Sequence, residues 1–97
     1  MSTGHPSIRW LLRKLGNHIK LSASLYQSNN NDFHRLKQYT ANFLNQASTE
    51  GFISSQMWST LYDLSIDLIQ NYRSVDIDYV SGILEGSLQT MFPHDEF

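Results

Sequence analysis

The sequence contains no cysteine and only two prolines among its 97 residues. Without cysteine, the chain has no disulfide, no thiolate nucleophile, no iron–sulfur cluster and no cysteine-ligated zinc site. Its length excludes a large two-domain enzyme with a deep cleft, because a single domain typically spans about 50–250 residues. We therefore expect one compact domain over residues 1–97, with short flexible ends at residues 1–6 and 93–97.

Long apolar runs are also missing. No segment approaches the roughly 20 consecutive apolar residues that a membrane-spanning helix needs. The beginning of the sequence lacks the charged start and apolar run of a signal peptide, since Arg13 and Lys14 directly follow the apolar residues 10–12. These observations predict a soluble, cytoplasmic protein that does not contact a membrane.

The formal net charge of −2 conceals two regions of opposite sign. Residues 1–37 carry six basic side chains and one acid, whereas residues 38–97 carry eight acids and one arginine. Two interpretations stay open. Either the two regions neutralise each other inside one bundle, or the acidic region faces a basic partner.

Apolar residues recur at the helical spacing of three and four positions over four stretches of the chain. The first stretch runs from Ile8 to Tyr26, and because Gly16 lies inside it we expect one helix or two nearly collinear ones. The third stretch is apolar around much of its circumference, which is typical of a central helix with two or more neighbours. We predict an all-α fold, a single compact bundle of four to five helices.

Polar and small residues mark the ends of these helices. Asparagine, aspartate and serine favour turns and N-caps, glycine favours the position after a helix, and proline cannot continue one. The predicted caps are Asn31 or Asp32 for the second helix, Ser54 or Ser55 for the third and Asp76 for the fourth, while Gly51 and Pro93 follow the second and fourth helices.

Gly82 and Gly86 lie four residues apart on one side of the predicted fourth helix, next to Ser81. Small residues at this spacing let another helix approach closely. We expect that neighbour to be a helix of the same chain. A helix of a second copy, which would make a homodimer, is the alternative.

The sequence offers no recognisable catalytic or metal-binding motif. No two histidines lie three or four residues apart, so no helix face presents a pair of them as ligands. The glycines form no G-x-G phosphate loop, and the G-x-S-x-G elbow is missing. We therefore expect no enzymatic activity, no cofactor and no metal. All four histidines are expected on the surface: His5, His18, His34 and His94.

Nucleic-acid binding is disfavoured by the charge of the third helix. Arg9, Arg13 and Lys14 form a modest basic patch on the first helix. The third helix, however, presents Asp63 and Asp67 at its exposed positions, where carboxylates repel phosphate. We expect no binding to DNA or RNA.

Acidic residues and aromatic rings are instead concentrated in the second half of the chain. Asp63 and Asp67 lie one helical turn apart, and like charges at this spacing call for a metal, a basic partner or basic residues of the first helix. Tyrosine beside an acid also suits a protein interface, because aromatic rings anchor it and acids attract a basic partner. The predicted partner-binding residues are Asp63, Asp67, Asp76, Asp78, Glu85, Tyr62 and Tyr79.

Residues 43–63 (FLNQASTEGFISSQMWSTLYD) form a predicted helix, a Gly-x-Ile-Ser turn and an aromatic helix. This segment, about a fifth of the chain, resembles small helical bacterial immunity proteins of the colicin D type or of contact-dependent growth inhibition systems. The resemblance implies a non-enzymatic inhibitor that neutralises a basic nuclease toxin by covering its active site. The alternative is a phage or host regulatory or anti-defence protein that acts by protein contact.

Overall fold

The chain forms four α-helices in the computed structural model, which describes residues 8–29, 32–71 and 76–93. These described residues contain no β-strand, so the prediction of an all-α bundle is confirmed. Within the same ranges, none of the helices is both long and apolar enough to cross a membrane. The predicted flexible ends lie outside the described residues, except for Pro93. The helices are α1 (Ile8–Ser28), α2 (Phe33–Thr49), α3 (Ser55–Asn71) and α4 (Ile77–Met91).

The core lies where α1 meets the other three helices. The apolar stripe of α1 has the predicted spacing, and α1 makes its most extensive contacts with α4. The helix α3 also packs against all of the others, which confirms its predicted central position. Burial of each leucine or isoleucine contributes about 1.5–3 kcal/mol, so this shared interior stabilises the bundle. The apolar side chains with no exposed surface are Leu15, Ile19, Leu44, Leu61, Ile69, Val80, Leu84 and Leu88.

The helix α1 continues without a break through Gly16, which is buried against α4. A methyl group at this residue would lie 3.0 Å from the Ser81 hydroxyl oxygen and 3.5 Å from the Ile77 carbonyl oxygen. The missing side chain therefore lets α1 and α4 approach closely here. This packing offsets the roughly 1 kcal/mol that glycine costs a helix relative to alanine.

The expected close approach of a neighbouring helix of the same chain at Gly82 and Gly86 is wrong. A methyl group at either position would find no described atom within 4 Å, and both glycines are exposed. The small residue of α4 that faces α1 is Ser81, and Gly82 lies about 100° further round the helix. A second copy as the neighbour stays a prediction.

Between α2 and α3 the chain reverses through a Schellman motif. Gly51 has a φ of +83°, and it follows α2 as predicted. The Phe52 N–H donates to the Ala47 carbonyl oxygen at 2.9 Å, and the Gly51 N–H donates to the Ser48 carbonyl oxygen at 3.1 Å. These hydrogen bonds return Phe52 to the last turn of α2, so that Phe52 and Ala47 line the same groove between α1 and α2.

Hydrogen bonds confirm two of the predicted N-caps. The Ser54 hydroxyl accepts the Met57 N–H at 3.2 Å, which selects it as the cap of α3. The Asp76 carboxylate accepts a hydrogen bond from the Asp78 N–H at 3.4 Å and caps α4. Asp32 occupies the N-cap position of α2 without a side-chain cap hydrogen bond, and Asn31 lies outside the described residues.

Replacement of Gly16 by leucine is expected to destabilise the fold, whereas Gly82→Ala is expected to stabilise it. Leucine would force α1 and α4 apart where Gly16 contacts Ser81, and such overpacking typically costs about 1–3 kcal/mol. Alanine at exposed position 82 meets open space and gains up to about 1 kcal/mol in helix propensity. Urea unfolding followed by circular dichroism measures both free energies. A Gly16→Leu variant as stable as the parent chain would contradict the close contact.

Candidate binding surfaces

Two of the predicted acidic binding residues are paired with arginines of the same chain. Arg9 Nε lies 2.7 Å from Glu85 Oε1, and the Arg13 guanidinium binds the Asp78 carboxylate. Two basic residues of the first region are therefore paired with two acids of the second along the α1–α4 contact. The pairs are mostly solvent-exposed, so each contributes about 0–1 kcal/mol to stability. A role for Asp78 and Glu85 in binding a partner stays a prediction.

Three other predicted binding residues differ in their surroundings. Asp76 caps α4, where its charge also suits the positive end of the helix dipole. Tyr79 has 59% of its surface exposed. Tyr62 is half-buried and stacks on Trp58, with ring centroids 5.1 Å apart and planes inclined by 9°. The Trp58 indole N–H donates to Asn45 Oδ1 at 2.9 Å, which ties this stack to α2.

Asp63 and Asp67, which we call the α3 acidic pair, are both exposed. Among the described residues neither forms an ion pair, and Arg9 and Arg13 bind carboxylates of α4. Asn71 Nδ2 donates to Asp67 Oδ1 at 2.8 Å, but this neutral amide leaves the charge uncompensated. Nor do any three histidine, aspartate or glutamate side chains of the described ranges come together as a metal site.

Asp63 also lines a shallow groove between α3 and α4, the α3–α4 groove, with a volume of about 410 Å³. Leu64 gives the groove apolar surface, and Met91 beside it is 59% exposed. An acid beside exposed apolar atoms is the combination that binds a lysine or arginine flanked by an apolar side chain. The groove is lined by Ser59, Thr60, Asp63, Leu64, Ser87 and Met91.

A second groove, between α1 and α2, was not predicted from the sequence. It has a volume of about 460 Å³, and we call it the aromatic groove because five of its lining side chains carry rings. Lys14 Nζ lies over the Trp10 ring, 5.2 Å from its centroid. The side chains that characterise it are Trp10, Lys14 and His18 of α1, Tyr39 and Phe43 of α2, and Phe52.

The aromatic groove does have a signal in the sequence. Trp10, Lys14 and His18 follow one another at intervals of four residues, as do Tyr39 and Phe43. Residues at this interval lie on one face of a helix. One series lies on α1 and the other on α2. They line the same groove because the two helices pack against each other, which the spacing within each helix does not show.

His18 is half-buried, so its predicted surface position is wrong. Its Nε2 lies 2.8 Å from Thr40 Oγ1, and the Thr40 hydroxyl donates to the Leu36 carbonyl oxygen at 2.9 Å. Because Thr40 has only one hydroxyl proton, the imidazole is the donor at Nε2. Burial lowers the pKa of His18, which favours the neutral ring. His34 is exposed as predicted, and His5 and His94 lie outside the described residues.

Acidification is expected to destabilise the chain through His18. Since folding lowers the pKa of His18, the unfolded chain binds the proton first, and stability falls as the pH drops below about 6.5. His18→Gln keeps an N–H donor near Thr40 and should weaken this pH dependence, whereas His34→Gln should leave it unchanged. Urea unfolding between neutral and mildly acidic pH measures the slope. Equal slopes in the parent chain and the His18→Gln variant would contradict the effect.

Comparison with protein-family models, with curated proteins and with solved structures finds no match for this chain. The function proposed below therefore depends on the chemistry and geometry of its own side chains and on the resemblance described above.

Proposed function

We propose that this chain is a non-enzymatic protein that binds and blocks another protein through the α3 acidic pair. The observation that carries this proposal is that Asp63 and Asp67 are exposed, lie one helical turn apart, and form no ion pair among the described residues. Two neighbouring carboxylates destabilise a helix by a few tenths of a kcal/mol. A basic partner would offset this repulsion on binding.

The surroundings of the pair support a protein partner over a simple counterion. Asp63 shares the α3–α4 groove with Leu64 and Met91, so an acid and apolar surface lie side by side. Apolar contact supplies affinity at a protein interface, while charges increase the association rate and set specificity. The expected partner presents a lysine or arginine next to an apolar side chain.

The resemblance to small bacterial immunity proteins gives the proposal its most specific form. The partner would be a basic nuclease toxin, and the chain would cover the toxin's active site. Asp63 belongs to both the resembling segment and the α3 acidic pair. Binding should weaken with added salt, because exposed charges are screened.

Co-expression with the protein encoded next to this chain's gene tests the proposal. We expect the tagged chain to co-purify with that protein and to protect cells from it. Asp63→Asn combined with Asp67→Asn should weaken binding at least about tenfold, because it removes the acidic contacts. The same double variant should be at least as stable as the parent chain, because it also removes the like-charge repulsion.

The matched control is Asp32→Asn combined with Glu50→Gln. It changes the net charge by the same amount, but at the two ends of α2 and outside the predicted partner-binding residues. This control should retain most of the affinity. Failure of the parent chain to co-purify or protect, or equal losses in both double variants, would overturn the proposal.

A further inference from the structure

The aromatic groove lies between a different pair of helices from the α3 acidic pair. Each end is built from two rings. Trp10 and Phe52 have centroids 6.3 Å apart at one end, and His18 and Phe43 have centroids 6.1 Å apart and planes inclined by 13° at the other. The buried side chain of Leu11 adds apolar surface between them. The groove therefore offers flat apolar surfaces suited to stacking against another ring.

The groove carries one group that can bind a negative ligand. Lys14 is the one lysine or arginine among its described lining residues. Glu50, the one carboxylate of the described lining, keeps its charge although it accepts a hydrogen bond from Gln46 Nε2 at 2.7 Å, and it forms no ion pair with Lys14. Burial favours the neutral form of His18, which therefore contributes a ring rather than a charge. The ammonium of Lys14 is thus the group placed to bind an anion.

We propose that the aromatic groove binds a small planar aromatic molecule that carries one anionic group. The ring would stack between the two ring pairs, and the anion would lie at Lys14. A volume of about 460 Å³ falls within the range of about 300–1,000 Å³ for small-molecule sites. Trp10 and His18 are eight positions apart in α1, a rise of about 12 Å, which is enough for two fused rings with a carboxylate.

The probe is naphthoate, which has two fused rings and one carboxylate. In a heteronuclear NMR titration of the full chain, the indole N–H signals of Trp10 and Trp58 report separately on the two tryptophans. A Trp58→Phe variant assigns them. We expect naphthoate to shift the Trp10 signal saturably and to leave the Trp58 signal in place, because Trp58 contacts Asn45 and Tyr62 elsewhere.

Charge-matched ligands and lysine variants test the role of Lys14. Naphthamide has the same rings without the charge, and naphthylmethylammonium carries the opposite charge. Both should bind more weakly than naphthoate. Lys14→Gln should weaken naphthoate binding about two- to fivefold, as expected for one partly exposed ion pair. Lys20→Gln removes the same charge from an exposed α1 position outside the groove and should have no effect.

Several outcomes would overturn the proposal. These are no shift of the Trp10 signal at millimolar naphthoate, equal shifts of both indole signals, and equal effects of Lys14→Gln and Lys20→Gln. A Trp10 signal that moves with protein concentration alone, together with a dimer in sedimentation, would show that a second copy occupies the groove instead. Each result is separate from the co-expression test, because naphthoate binding does not require the α3 acidic pair.

Discussion

The close approach of α1 and α4 at Gly16 determines which charges on this molecule meet. Because Gly16 has no side chain, Ser81 lies directly against α1. The arginines one and two turns earlier in α1 then reach the carboxylates of α4, and the basic patch of the first helix is engaged within the chain. The two described arginines of α1 are thus held at α4, and the α3 acidic pair stays without a cation among the described residues.

The rotation of α1 about its own axis places its ion-pairing arginines and its groove-lining side chains on different faces of the helix. Arg9 and Arg13 face α4, whereas Trp10, Lys14 and His18 line the groove with α2. The two series are offset by a single residue, which corresponds to about 100° around a helix. The apolar stripe fixes this rotation, since turning α1 would expose its buried leucines to water. The core therefore positions both the ion pairs and the aromatic groove.

Features that depend on neighbours in sequence could be predicted. The four stretches of helical spacing appear as four helices, and Ser54, Asp76 and Gly51 lie at the helix ends where their local chemistry places them. The expectation for Gly82 failed because a glycine at the right spacing does not show which way its helix faces. The expectation for His18 failed because the residue borders the apolar stripe, and only the pairing of α1 with α2 buries it.

By itself, the sequence determined the helices, their apolar faces, their ends and the all-α class, because each of these follows from contacts within a few residues. It also determined that Asp63 and Asp67 share one face of a helix. Only the tertiary structure decided which carboxylates are neutralised and where the aromatic groove forms. Arg9 and Glu85 are 76 residues apart in the chain, and no local pattern specifies that two such distant groups will lie 2.7 Å from each other. That distance depends on how tightly the helices pack and how each is rotated, which the burial of the whole core decides.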